Sequence, residues 1–233
     1  MLLAIDTATR WMGLALHDGA TMLAEMGWYS QNTQTVELAA AIEGIVQRAG
    51  LTAVQLKAIA VAIGPGSYTG LRVGLAVAKG LALANQTPLI GVPTLDIVAA
   101  SVGELNGPLV VVAEAGRSRV CVATYRWQSG KGWQVTTPAA IESWDSLLGR
   151  LAAEEGAADG PLTFAGEISA TAAKRIRAEN QRQEGRKYRL LPAAANVRRA
   201  GYLAELGWWR LRRGRLDDAA TLAPIYLREP GAG

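Results

Sequence analysis

The stretch LLAIDTATRWMGLALHDG, residues 2–19, decides the fold class because it predicts two strands joined by a short polar loop. Leu2–Ile5 is a continuous apolar run, typical of a strand that is buried on both faces, and it delivers Asp6 at its carboxyl end. A second strand-like run leads into an Asp18-Gly19 turn, and a third run follows that turn. The first 30 residues therefore predict a three-stranded antiparallel meander.

Helices and strands alternate beyond this meander. Apolar residues at three- and four-residue steps predict a helix over residues 33–49, closed by Gly50. A short strand over residues 56–63 follows it, and then a second helix over residues 69–84. A further short strand is predicted over residues 89–92. Strands that alternate with helices in this way indicate an α/β lobe.

The second half of the chain repeats this order. A strand–turn–strand pattern returns after Gly107, and helical and strand-like segments alternate behind it. We expect two lobes, each a mixed sheet flanked by helices, as a duplication would produce. The predicted N-terminal lobe comprises residues 1–104 and 218–233, and the predicted C-terminal lobe comprises residues 105–217.

The composition excludes several kinds of catalytic site. The 233 residues contain one histidine, His17, and one cysteine, Cys121, which rules out the usual zinc clusters and histidine-based metalloprotease motifs. His17 precedes a turn and is predicted to be exposed at a strand end, outside any catalytic triad. No signal-peptide pattern is present, and no apolar run approaches the ~20 residues that a bilayer span requires. We therefore expect a cytoplasmic protein with no membrane partner.

The charge is distributed unevenly along the chain. The formal net charge is +4, but residues 174–215 alone carry +10, which leaves −6 for the remainder. Such a basic segment can attract a phosphate backbone, or it can be the solvated surface of helices whose other face is apolar. Trp208 and Trp209 stand beside Arg210 and would offer a base-stacking arrangement, unless at least one of these tryptophans packs in the core.

A glycine-rich motif, GPGSYTGLRVG, occupies residues 64–74. A tight loop at a helix N-terminus can hold a phosphate or a carboxylate, although the GK[ST] ending of a Walker A loop is missing. The alternative is a loop that only shapes a turn. The motif residues with a candidate role are Gly64, Pro65, Gly66, Ser67, Thr69, Gly70 and Arg72.

Acidic residues follow the first predicted strand of each lobe. Asp6 is followed by the hydroxyl residues Thr7 and Thr9, and Glu114 stands at the corresponding point of the second lobe. Two such acids facing each other across a cleft can bind magnesium, which prefers carboxylate and water ligands. The alternative is that Asp6 only accepts hydrogen bonds from backbone N–H groups of its own turn.

Small residues recur at four-residue steps in the second helix, at Gly70, Gly74 and Ala78. The missing side chains allow another backbone to approach closely. The partner for this close approach is the helix over residues 33–49 or a helix of another molecule.

Four segments together resemble one known family. LLAIDTAT at 2–9, GPGSYTGLRVG at 64–74, AKGLALANQTPLIGVPTL at 78–95 and PIYLR at 224–228 are similar to the bacterial TsaB family, also called YeaZ. The resemblance implies the two-lobed actin-like ATPase fold, also called the ASKHA or ribonuclease H-like fold. It also implies a non-catalytic paralogue of TsaD in the synthesis of N6-threonylcarbamoyladenosine at position 37 of tRNA. Older descriptions of the family call it glycoprotease-like.

The family resemblance further implies a scaffold with no catalytic residue and no metal of its own. TsaD-type relatives bind metal through an HxxxH pair, which a chain with one histidine cannot form. The expected partners are TsaD and TsaE, with a homodimer in isolation, tRNA contacted indirectly through the complex, and ATP or ADP with Mg²⁺ bound only by the assembled complex. Family members pair through the two helices of the first lobe, and the corresponding residues here are Val36, Ala40, Gly70, Leu71, Gly74 and Ala78.

One departure from the family pattern concerns the second lobe, where Glu114-Ala115-Gly116-Arg117 replaces a common Asp-Ala-Arg. This departure weakens the expectation that the second lobe binds a ligand in the family manner, and it hardly affects the scaffold role. Two alternatives to the scaffold stay open. The first is a stand-alone phosphotransferase that uses Asp6 and Glu114 with a magnesium nucleotide, and the second is a glycoprotease-like peptidase.

Overall fold

The computed structural model describes residues 1–31, 34–116, 119–154, 160–182 and 187–227, and these residues form two compact units. The strands are β1 (Leu2–Asp6), β2 (Trp11–His17), β3 (Met22–Tyr29), β4 (Ala58–Ala62), β5 (Leu89–Val92), β6 (Leu109–Glu114), β7 (Arg119–Gln128), β8 (Gly132–Ser143), β9 (Leu162–Gly166) and β10 (Tyr188–Leu190). The α-helices are α1 (Gln34–Arg48), α2 (Tyr68–Asn85), α3 (Thr94–Ala100), α4 (Trp144–Ala153), α5 (Ala170–Arg182) and α6 (Ala200–Arg212). Among the described residues, no helix is both long and apolar enough to cross a membrane.

The first unit comprises Met1–Ile97 and Arg198–Tyr226. Its sheet has the order β3-β2-β1-β4-β5, in which β1, β2 and β3 are antiparallel and β4 and β5 run parallel to β1. The predicted meander is therefore confirmed.

Helices cover both faces of this first sheet. Leu3 and Ile5 of β1 pack in one core cluster with residues of α1 and α2, whereas Leu2 and Ala4 pack in another cluster with residues of α6. Successive side chains of a strand point to opposite faces, so α1 and α2 share one face and α6 covers the other. Burial on both faces explains why β1 is apolar without alternation.

The second unit contains residues Val98–Val197, and its sheet has the order β10-β9-β6-β7-β8. β6, β7 and β8 are antiparallel, and β9 and β10 run parallel to β6, which repeats the topology of the first sheet. Its core packs the aromatic side chains of Trp144, Phe164 and Tyr188 against aliphatic residues of β6 and α4. The expected fold class, two α/β units of the actin-like type, is confirmed.

The structure divides the chain at other residues than the sequence predicted. The predicted C-terminal lobe, residues 105–217, included the segment that forms α6, but α6 belongs to the first unit. Leu203 and Ala204 of this helix are fully buried against the first sheet, and Gly207 lies against Ala60 of β4. The predicted N-terminal lobe, residues 1–104 and 218–233, also extended past Ile97, where the first unit ends. Residues 228–233 lie outside the described residues.

Candidate functional site

The loop after β1 carries a buried acid that is already paired. Asp6 is 1% exposed, and its Oδ1 accepts a hydrogen bond from the backbone N–H of Ala8 at 3.0 Å. Its Oδ2 accepts a hydrogen bond from Nε of Arg198, which is itself 4% exposed. Arg198 Nη2 also donates to Thr9 Oγ1 and to the carbonyl oxygen of Trp11, each at 3.0 Å. The guanidinium therefore lies where a cation would contact this loop.

The sequence reasoning missed Arg198. It lies two residues before α6 and 192 residues from Asp6, so no spacing pattern connects the two. The only available signal was chemical, because a buried carboxylate requires a counter-charge and the chain offers many arginines. The structure shows that α6 packs beside β1, which brings Arg198 to Asp6.

Hydrogen bonds within the protein hold the glycine-rich loop in place. The backbone N–H of Ser67 donates to the carbonyl oxygen of Ala8 at 2.6 Å, and Ser67 Oγ caps α2 by accepting from the N–H of Gly70 at 3.2 Å. Gly64 has a φ of +103° and its carbonyl accepts from Thr94 N–H at 2.8 Å. The motif therefore shapes a turn that holds the loop after β1, as the structural alternative predicted.

Other residues of the motif lie buried or at its surface. Pro65 is buried and Gly66 packs against the backbone of Ala8, whereas Thr69 is exposed in the first turn of α2. Arg72 is exposed, lies 4.0 Å above the ring of Tyr68 and donates to Tyr226 Oη at 3.0 Å.

The small-residue face of α2 packs inside the first unit, which corrects the predicted pairing interface. A Cβ at Gly70 would overlap the carbonyl oxygen of Thr7, and a Cβ at Gly74 would overlap Thr7 Oγ1. Thr7 Oγ1 also donates to the carbonyl oxygen of Gly70 at 2.7 Å. Leu71 and Ala78 are fully buried. Gly70 and Gly74 therefore pack on the loop after β1, and Ala78 lies in a core cluster that includes Leu38 and Ile42 of α1.

A magnesium–phosphate group does not fit this loop as it stands. The acid at the end of β1 is buried and engaged by Arg198, and the N–H groups of Ser67 and Gly70 are engaged by Ala8 and Ser67. Within the described ranges, no group of three or more His, Cys, Asp or Glu side chains is arranged to hold a metal ion. The arrangement can stabilise the loop but offers no free ligand for a cation.

Glu114 ends β6 in the second unit, at the position equivalent to Asp6, and it is exposed. Its backbone N–H donates to Oε2 of Glu167 at 2.9 Å. The predicted turn after it, with Arg117 and Ser118, lies outside the described residues.

His17 and Cys121 are both buried. The prediction of an exposed His17 was wrong, because α6 covers it: Trp208 packs against its ring, and Nε2 lies 3.2 Å from Oε1 of Glu205. Nδ1 accepts from the N–H of Gly19 at 2.9 Å, so the proton of the neutral ring is on Nε2. Burial raises the pKa of the Cys121 thiol to about 11, which keeps it protonated near neutral pH.

An exposed surface of small and apolar residues remains on the outer side of α1 and α2. Val36 and Leu83 are 80% and 79% exposed, and Ala40 and Ala76 are also exposed. A Cβ at Gly80 would meet nothing within 4 Å. We call these five residues the small-residue surface. Val36 and Ala40 are the two predicted interface residues that the structure places on it.

The basic segment over residues 174–215 is divided between the two units. Its first part lies on α5 and β10 of the second unit, and its last part lies on α6 of the first. Trp208 packs against His17, as the core-packing alternative predicted for one tryptophan, whereas Trp209 is 43% exposed.

The fold and the loop together define a protein of the actin-like class in which the acid at the end of β1 is paired with the chain's own Arg198. The family model described as TsaD, tRNA N6-adenosine threonylcarbamoyltransferase, matches residues 30–233. The tRNA threonylcarbamoyladenosine biosynthesis protein TsaB of Bacillus subtilis is 30% identical over 229 residues, which cover 97% of this chain and 93% of that protein. The chain therefore belongs to the TsaB family, also called YeaZ.

Further relatives agree with this assignment. TsaB of Escherichia coli is 34% identical over 142 residues, covering 60% of this chain and 61% of that protein. The structure of YeaZ from Pseudomonas aeruginosa is similar with a TM-score of 0.74 at 26% identity, over 97% of this chain and 99% of that one.

Proposed function

We propose that this chain is a non-catalytic scaffold and activating subunit in the synthesis of N6-threonylcarbamoyladenosine at position 37 of tRNA. Membership of the TsaB family supports the pathway, since relatives carry the name of threonylcarbamoyladenosine biosynthesis proteins. The observation that carries the scaffold role is the Asp6–Arg198 pair, which leaves the loop after β1 without a free acid. Transfer of the threonylcarbamoyl group from its adenylate to tRNA then belongs to the partner TsaD, and TsaE is the ATPase subunit that joins the pair.

The pairing contact with TsaD uses the small-residue surface of α1 and α2. Glycine in the middle of a helix costs about 0.5–1 kcal/mol relative to alanine, and at Gly80 no neighbour within the chain explains it. Its exposed surroundings are small and apolar, with Ala76 one turn before it and Leu83 one turn after it. Side chains of this size allow a second helix to approach closely and bury apolar area.

Gly149 of α4 can be compared with Gly80, because the two glycines differ in the residues around them. It is also an exposed helical glycine with nothing within 4 Å of a Cβ. Its exposed neighbours one turn before it are Asp145 and Ser146, which favour contact with water, whereas Ala152 and Ala153 are exposed one turn after it. Gly149 is therefore a matched control for Gly80.

The remaining assignments follow from this role. In isolation the small-residue surface of one copy pairs with that of a second copy, and TsaD replaces the second copy when it is present. ATP or ADP and Mg²⁺ are bound by the assembled complex, tRNA is the substrate of that complex, and the reaction takes place in the cytoplasm.

The test substitutes Gly80→Glu and compares it with Gly149→Glu. Glutamate favours the helix more than glycine does, so neither change lowers the free energy of unfolding. We expect Gly80→Glu to weaken binding to TsaD at least tenfold and to abolish threonylcarbamoyladenosine formation in a reaction reconstituted with TsaD and TsaE. Gly149→Glu keeps both properties.

The measurements are sedimentation of the mixed proteins and mass spectrometry of the tRNA nucleosides. An intact Gly80→Glu complex with TsaD would rule out the small-residue surface as the interface. Threonylcarbamoyl transfer by the isolated chain would rule out the scaffold role. Micromolar binding of Mg-ATP by the isolated chain in calorimetry would favour the phosphotransferase alternative, and cleavage of a glycoprotein substrate would favour the peptidase.

A further inference from the structure

The carboxyl end of α6 holds an exposed tryptophan close to two arginines. The guanidinium carbon of Arg213 lies 3.9 Å from the centroid of the Trp209 ring, and that of Arg215 lies 5.1 Å from it. Arg213 reaches the ring because it follows Trp209 by four residues, one helical turn. Trp209 keeps 43% of its surface exposed in this arrangement.

The helix cap brings Arg215 back to the same ring. Gly214 has a φ of +64°, and its N–H donates to the carbonyl oxygen of Leu211 at 3.0 Å. The N–H of Arg215 donates to the carbonyl oxygen of Arg210 at 3.0 Å, which completes a Schellman motif. The backbone therefore fixes the positions from which Arg213 and Arg215 extend. We call Trp209, Arg212, Arg213 and Arg215 the α6-end cluster.

The positive charge of the α6-end cluster is not compensated. Arg198 and Arg199, at the other end of α6, pair with Asp6 and Glu25, and Arg210 donates to the carbonyl oxygen of Gly91. In contrast, Arg212, Arg213 and Arg215 are exposed and pair with no carboxylate among the residues that the structure describes. Three like charges within four residues repel one another, and the helix dipole offsets only part of this repulsion.

We propose that the α6-end cluster contacts the tRNA directly, with the three guanidinium groups on backbone phosphates and the Trp209 ring beside an unpaired base. This inference rests on the proposed function, which makes tRNA the substrate of the complex. Guanidinium groups bind phosphate oxygens in a bidentate manner, and an exposed ring next to arginines is the usual stacking platform for single-stranded RNA. An acidic protein segment would use the charges but has no need of the exposed flat ring.

The first test removes the charges. The variant Arg212→Gln, Arg213→Gln, Arg215→Gln is compared with Lys174→Gln, Arg177→Gln, Arg182→Gln, which removes the same charge from exposed residues of α5 in the second unit. Affinity of the full chain for an unmodified tRNA transcript is measured by fluorescence anisotropy over a range of salt concentrations. We expect the α6-end variant to lose roughly tenfold or more in affinity and the magnitude of its salt slope to fall by about 2–3. The α5 variant changes the affinity less than about twofold, as expected for a site away from the RNA contact.

The second test isolates the ring. Trp209→Ala is expected to weaken binding of the transcript by roughly fivefold or more without changing the salt slope, and Trp209→Phe to restore most of the loss. Thermal unfolding of each variant checks that the fold is retained.

Several results would overturn the RNA contact. Equal losses in the α5 and α6-end variants would mean that only the net charge matters, and unchanged affinity in both would mean that the cluster binds no RNA. Loss of TsaD binding by the α6-end variant with unchanged RNA affinity would identify a protein contact instead. Because Gly80→Glu is expected to keep the RNA affinity of the isolated chain, failure of the RNA contact and failure of the scaffold role give different results.

Discussion

Asp6 and Arg198 form a buried ion pair at the start of the loop after β1. Both side chains are almost fully buried, so water compensates neither charge. Nη2 of the same guanidinium also donates to Thr9 Oγ1 and to the carbonyl oxygen of Trp11. Here a side chain of the same molecule supplies the positive charge, which stabilises the loop without any ligand.

Substitution of Arg198 by methionine tests this at the level of one residue. The change leaves the Asp6 carboxylate buried without its counter-charge, so we expect the free energy of unfolding to fall by about 3–5 kcal/mol. The double variant Asp6→Asn, Arg198→Met loses less than the sum of the two single variants, because the second change removes the charge that the first left unpaired.

Urea unfolding followed by circular dichroism measures all three variants. Additive losses would show that the two side chains contribute independently and would contradict the pair as the organising contact of the loop.

At the scale of the element, α2 presents two different rows of small residues. Gly70 and Gly74 face Thr7 in the interior, and Ala76 and Gly80 face outward. The sequence shows both rows at the same spacing, so it cannot distinguish a row that packs within the chain from one that remains exposed. The folded unit distinguishes the two rows, because Gly70 and Gly74 are buried in it and Ala76 and Gly80 are exposed.

Alanine at the two glycines should have opposite effects on stability. Gly74→Ala places a methyl group against Thr7 Oγ1 and disrupts its hydrogen bond to the Gly70 carbonyl, so we expect a loss of about 1–3 kcal/mol. Gly80→Ala meets open space and should raise the free energy of unfolding by about 0.5–1 kcal/mol. Chemical denaturation of the two variants under identical conditions provides the measurement. A stabilised Gly74→Ala protein would contradict the close packing of α2 on Thr7.

The strands with a regular pattern were predictable, and those without one were not. The alternation around the Asp18-Gly19 turn predicted β2 and β3, and buried apolar runs predicted β1, β4 and β6. The strand β8 extends from Gly132 to Ser143, and its full length was not predictable. It contains Pro138, and its pairing with β7 shifts register near Thr124, which breaks the alternation that sequence reasoning depends on.

The candidate site was predictable only in its local part. The loop after β1 and the capping of α2 by Ser67 follow from spacing and residue type. The partner of Asp6 and the position of α6 depend on long-range packing, and an amphipathic helix does not specify which of two sheets it will cover. The predicted lobe boundary was wrong for this reason.

At the scale of the whole molecule, the first unit is discontinuous in sequence and the second is contiguous in its described core. Several contacts hold the returning segment on the first unit. Glu25 of β3 pairs with Arg199 and accepts from the N–H of Gly201 at 2.8 Å, and Ile225 N–H donates to the Ile63 carbonyl at 2.7 Å. The loop, the small-residue surface and the α6-end cluster all lie in this unit, so the proposed functions depend on a segment that is distant in sequence.

Fragment complementation tests this dependence. A fragment of residues 1–97 contains the complete first sheet but leaves the face that α6 covers open to water. We expect it to lack a cooperative unfolding transition, because the apolar face of β1 and β4 has no covering layer. Addition of a peptide of residues 198–227 should restore the transition and bury Trp208, whereas a fragment of residues 98–197 should unfold cooperatively by itself.

The same peptide with Ala204→Asp, which places a carboxylate in the buried face of α6, is the matched control and should not complement. Circular dichroism and tryptophan fluorescence report both results. Cooperative unfolding of the 1–97 fragment alone would mean that α6 is dispensable for the first sheet. Complementation by the Ala204→Asp peptide would mean that the face of α6 that contains Ala204 does not pack on that sheet.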